Sequence, residues 1–196
     1  MAEWYRHHRW DPEIEEEFER RLSRSKDPEQ ILKIQGYELL EHEPSMAAKL
    51  LRRCADLNGE WAAAACLYLA QAHVRMDDLR SALVALDRAL AEQQAAGRVQ
   101  TGARTDWLLV VALLKARDRY SEALACLLEL REAGDEALIE ERAAEALIRV
   151  DLGEAEAARA LARGAMDELK ALVSEESAHS ALLENLLERL GAIESA

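Results

Sequence analysis

The sequence predicts an all-α protein made of stacked helical hairpins. Two observations carry this expectation. The first is composition: of 196 residues, half are hydrophobic and 37 are alanine, against nine aromatics, three prolines and eight glycines. Alanine loses no side-chain entropy in a helix and lets helix backbones approach closely. The second is periodicity, clearest from Cys66 to Leu90. There Cys66, Leu69, Ala70 and His73 recur three or four residues apart, Met76-Asp77-Asp78 interrupts, and Leu79, Ala82, Leu83, Leu86, Ala89 and Leu90 resume the pattern. Small residues at Ala70, Ala82 and Ala89 mark where two helices come closest.

In order along the chain, residues 1–10 concentrate Trp4, Tyr5, His7, His8 and Trp10 without helical period. Asp11-Pro12-Glu13 supplies a cap, a first-turn proline and a first-turn acid. The helix that follows, ending near Ser25, has one narrow stripe of Ile14, Phe18 and Leu22, as an end cap would. Residues 1–26 therefore read as an aromatic-basic segment plus a capping helix. Four hairpins are expected over 27–170. They comprise helices at about 28–42 and 45–57, 60–76 and 78–95, 104–117 and 119–132, and 136–151 and 154–170. Asp27-Pro28 starts the first, Asn58-Gly59 ends it, and residues 96–103 form an insertion loop. Gly134-Asp135 makes a stop and a new cap, and Leu152-Gly153 turns the fourth hairpin. Residues 171–196 read as a capping helix that starts at Ser174-Glu175-Glu176 and carries Ala178, Leu182, Leu183, Leu186, Leu187 and Leu190.

Small residues early in each second helix, Ala48, Ala82, Ala123 and Ala158, are 34, 41 and 35 residues apart. Two short amphipathic helices cannot bury their apolar faces alone, whereas stacked neighbours can. Cys66, Leu69, Ala70 and His73, followed by Ala82, Leu86 and Ala89, resemble the tetratricopeptide-repeat signature. So do Trp107, Val110, Val111 and Leu114 with Tyr120, Ala123 and Leu127. The unit before has Gly36, Ala48 and Ala55 but Gln35 at a leucine position. The last has Ala146, Gly153, Ala158 and Ala165 but Arg149 at a tyrosine position. The resemblance implies a right-handed α-solenoid with a concave groove lined by the first helices. Carried onto this chain, the groove positions include Lys33, Tyr37, Gln71, Arg75, Thr105, Leu108, Lys115, Glu140 and Asp151, with Leu67, Ala112, Ala143 and Leu147 between them.

The formal charge of −13 opposes non-specific nucleic-acid binding. The sequence has no apolar run of membrane-spanning length and no leader pattern, and its three cysteines suit a reduced, cytoplasmic setting. Cys54, Cys66 and Cys126 read as small buried hydrophobes, and His73 as a packed core residue. No catalytic, cofactor or metal motif stands out; His7-His8 alone makes a poor metal site. The expected function is protein or peptide recognition by an adaptor or scaffold without chemistry of its own. One alternative is an architectural subunit that forms a homo-oligomer or joins a larger complex through Trp4, Tyr5 and Trp10 or through the terminal helix. Another is small-ligand binding or catalysis at the groove.

Overall fold

The computed structural model describes residues 4–97, 102–132, 138–174 and 180–194, with side chains except those of 167, 169, 171–174, 180–185 and 194. The stop at Gly134-Asp135, the centre of the 96–103 loop, Glu175-Glu176, Ala178 and the side chains of Leu182 and Leu183 lie outside these residues. The described chain is all-α and forms two compact units, Met1–Ala103 and Arg104–Ala196.

Unit 1 holds α1 (Pro12–Leu22), α2 (Pro28–Glu38), α3 (Pro44–Asp56), α4 (Ala62–Arg75) and α5 (Leu79–Ala96). The predicted caps form. Asp11 accepts from the Ile14 N–H at 2.8 Å and Asp27 from Gln30 at 3.1 Å. Asp78, which in the sequence stands only as part of an interruption, caps α5 as well, accepting from Ser81 at 3.0 Å. Consecutive helices pack as neighbours, α2 on α3, α3 on α4 and α4 on α5. Gly36 permits the first of these contacts, because a Cβ there would stand 2.6 Å from the Leu51 Cγ. The next first helix lies beside the previous one and runs the same way: Lys33 meets Trp61, and Tyr37 meets Tyr68.

Unit 2 holds α6 (Ala103–Leu114), a 3-10 turn (Arg117–Arg119), α7 (Tyr120–Glu132), α8 (Ile139–Asp151), α9 (Ala155–Ser174) and α10 (Ser180–Glu194). Here too α7 packs on α8, α8 on α9 and α9 on α10. The parallel relation of first helices recurs, since Thr105 bonds Glu141 and Lys115 lies near Asp151. Ala82 and Ala123, the expected contact points, are both 0% exposed.

The spacing differs from the sequence expectation. Three hairpin turns share one backbone device, a left-handed residue at Asp77, Lys115 and Gly153. In each, the next N–H reaches back to close a six-residue loop: Asp78 to the His73 carbonyl, Ala116 to Val111 and Glu154 to Arg149. Positions 77, 115 and 153 recur every 38 residues. The 41-residue step from Ala82 to Ala123 equals the 38-residue interval of the turns plus the three residues of the 3-10 turn. A second helix that starts three residues late moves its small residue without moving the turn.

Candidate functional site

In unit 1 the exposed face formed by α2 and α4 carries an aromatic-cationic surface. Tyr37, 53% exposed, lies 4.9 Å from Tyr68 between ring centroids, and the Lys33 ammonium sits 3.4 Å above the Trp61 ring. Partial burial lowers the Lys33 pKa. Glu29, one turn earlier on α2, accepts from the Trp61 N–H at 2.8 Å, which fixes the start of α4 beside α2. Gln71 and Arg75 are half-buried, and Arg75 donates to the Gln71 carbonyl at 3.3 Å. Four of the groove positions thus fall on neighbouring first helices of one unit.

In unit 2 the groove positions divide. Leu108 is fully enclosed and presents no surface, and Ala143 likewise; Thr105 donates to Glu141 at 3.0 Å. Glu140 is half-buried. Lys115 stands beyond the end of α6, at the left-handed turn equivalent to Asp77, rather than on a helix. It lies 3.9 Å from Asp151, and both line a cleft of about 360 Å³ with Ala112, Leu147, Val150 and Ile193. Arg159 and Arg189 complete its rim. Arg189 donates to the Leu113 carbonyl at 2.9 Å, so α10 closes one side. Asp151 is occupied: Arg117 donates at 2.7 Å and Tyr120 at 3.2 Å. Arg117, with Tyr120 and nearby Lys115, holds the Asp151 carboxyl below its usual range. Burial, helped by Asp151, pushes the Tyr120 hydroxyl up to about 12. Arg159 makes no ion pair among the described residues. The cleft is apolar with cationic edges.

The N-terminal aromatics fold back on α1. Trp4 and Trp10 pack against Phe18, at 5.7 and 5.2 Å, and Tyr5 meets Trp4 edge-on at 5.4 Å. The buried Gln35 holds this segment by its amide, accepting from the His7 N–H at 3.0 Å and donating to the His7 carbonyl at 2.7 Å. The departure from leucine at this position thus has a structural reason. His7 and His8 are tied to the protein, His7 to the Trp4 carbonyl and His8 near Glu38.

Buried carboxylates are the feature that sequence reasoning missed. Glu145 lies between Arg131 and Arg149, with Arg149 at 2.7 Å, and Glu141 accepts from the Leu138 N–H at 3.1 Å. The i, i+4 spacing of Glu145 and Arg149 was the available signal. Cys54 and Cys66 are buried thiols, pushed by burial up to about 12 and about 11.

No protein-family model, no curated protein and no solved structure matches the chain. The helices pack in adjacent pairs as in helical-repeat folds generally. The 38-residue interval of the turns is longer than the 34-residue tetratricopeptide period. Among the described residues no helix is long and apolar enough to cross a membrane.

Proposed function

We propose that the protein is a tetratricopeptide-like, right-handed helical-repeat scaffold that binds peptide segments of partner proteins and has no chemistry of its own. The observation that carries this reading is the Tyr37–Tyr68 pair on parallel first helices of unit 1. A half-exposed tyrosine supplies large contact area at low entropic cost, and such residues concentrate binding energy. Lys33 and Arg75 flank the pair and favour a segment that carries acids. The unit 2 cleft suits an apolar side chain beside a carboxylate, which Arg159 can meet with a two-pronged hydrogen bond. Cytoplasmic residence fits the free thiols. Assembly through Trp4, Tyr5 and Trp10 has less support, because Trp4 and Trp10 pack on Phe18, Tyr5 meets Trp4, and the Arg21 guanidinium lies 5.6 Å above Trp4.

Selection of peptides from a random library on the full chain tests the reading. Tyr37→Ala or Arg159→Ala should weaken the selected peptides by about tenfold or more. Peptides that bind both variants as tightly as the parent protein sink the assignment.

A further inference from the structure

A second cleft, of about 380 Å³, opens in unit 1 among α3, α4 and α5. Cys66, Leu69 and His73 line it from α4, whereas Tyr68, Gln71 and Arg75 belong to the surface described above. At about 100° per residue the two sets occupy opposite faces of that helix. The cleft has apolar surface at Leu69, Ala85 and Val84, the last 70% exposed. Its cations are Arg52 from α3 and Arg80 and Arg88 from α5.

Arg88 is committed to the fold. It donates to Asp56 at 2.9 Å, to the Ala55 carbonyl at 2.5 Å and to Asn58 at 3.0 Å, with Glu92 at 3.7 Å. Arg52 and Arg80 have no carboxylate partner among the described residues. The chain carries 38 acids against 25 Lys and Arg, so two uncompensated guanidiniums on one cleft are a local reversal of its charge.

His73 lines the same cleft as a buried polar group. It is only 7% exposed, and its Nε2 lies 3.4 Å from an Arg52 nitrogen. A guanidinium only donates, so Nε2 accepts and the ring proton sits on Nδ1. That buried Nδ1 has no hydrogen-bond partner among the described residues. Asp78 Oδ2, at 3.6 Å, is too far, and its other oxygen caps Ser81. Burial lowers the His73 pKa, Asp78 opposing and Arg52 adding, so the ring is a neutral donor.

We propose that this cleft binds a phosphomonoester, its phosphoryl oxygens held by Arg52 and Arg80 and its apolar body against Leu69, Val84 and Ala85. Two guanidiniums without carboxylate partners match a group carrying a charge of about −1.5 to −2 at neutral pH, which a carboxylate does not. The net charge of the chain repels such a ligand at a distance, so affinity rests on short, charge-assisted bonds. The same chemistry is offered by a small free phosphomonoester and by a phosphorylated tyrosine of a partner.

Calorimetric titration of the full chain at low salt distinguishes these cases. The probes are phenyl phosphate, its carboxylate counterpart phenylacetate and a short phosphotyrosine peptide. Phenyl phosphate should bind with a Kd on the order of 1 mM or below, and about tenfold tighter than phenylacetate. Arg52→Ala and Arg80→Ala should each weaken it roughly tenfold. Both side chains are exposed, so the fold is retained; Arg52→Gln and Arg80→Gln, which keep the stem, should show the same loss. Tyr37→Ala should leave this binding unchanged, which separates the result from the peptide surface on the opposite face of α4. A peptide that binds more tightly than phenyl phosphate places the ligand on a protein, and a weaker one makes it a free small molecule. Absence of binding by both phosphate probes, equal binding of phenylacetate, or full affinity in the Arg52 and Arg80 variants would overturn the proposal.

Discussion

The two units reach similar helix packing by different means. Unit 1 relies on close apolar fit: Gly36 against Leu51, and Ala47, Ala55, Ala65 and Ala72 with almost no exposed surface. Its depressed carboxylates, Glu17 beside Arg20 and Asp78 capping Ser81, are on the solvent side. Unit 2 buries Glu141 and Glu145 and ties Asp151 to Arg117 and Tyr120. The difference teaches that small side chains hold a helical pair by fit alone, whereas a carboxylate tied as Asp151 is makes part of the packing conditional on charge.

Enlarging Gly36 tests the first half of this contrast and should have the largest effect. Gly36→Leu drives a side chain into Leu51 and should destabilise unit 1 by about 2–3 kcal/mol, even after the better helix propensity of leucine. Amide exchange followed by mass spectrometry should show α2 and α3 opening faster, with α8 and α9 unchanged. Equal acceleration in both units would mean that the tight contact is not local to unit 1.

The charge side of the contrast is sharper under acid. The Asp151 pKa is depressed in the folded state, first by Arg117. Its stabilisation is therefore complete above the unfolded value of about 3.9 and disappears as pH falls through the lower folded value. Asp151→Asn should melt below the parent protein at neutral pH, and the two melting curves should converge as the medium is acidified below that range. A gap that persists undiminished at low pH would show that Asp151 acts by shape and not by charge.

The smallest effect concerns the turns. Lys115 holds a φ of 53° that costs a lysine energy and a glycine almost none. Lys115→Gly should stabilise unit 2 by roughly 0.5–1 kcal/mol, less a few tenths for the exposed contact with Asp151. Asp77→Gly should gain less, because aspartate tolerates the left-handed region better. Denaturant titration that ranks the two in the reverse order breaks the comparison.

Local chemistry was legible in the sequence wherever one residue decides the outcome. The caps at Asp11 and Asp27, the buried Ala82 and Ala123 and the enclosed His73 all stand where their types and spacing placed them. What depends on two distant segments was not. Nothing local to Gln35 shows that its amide meets both polar groups of the His7 backbone. Nor does the spacing of Ala82 and Ala123 separate a three-residue 3-10 turn from a longer connection. Of the groove positions, those on α2 and α4 share a face, while Leu108 is enclosed and Lys115 turns a corner, because the period taken from small residues drifts against the period of the turns.

The equal interval of the three turns has a consequence for how such a chain can lengthen. A tandem duplication of the 38 residues 77–114 or 115–152 places a left-handed turn residue again at the start of the copy. A copy of any other length shifts the frame, placing helix-forming residues where the chain must turn left-handed, at roughly 1–2 kcal/mol for each ordinary side chain so placed. Recombination within this stretch is thus filtered by length before any new side chain is judged by its contacts.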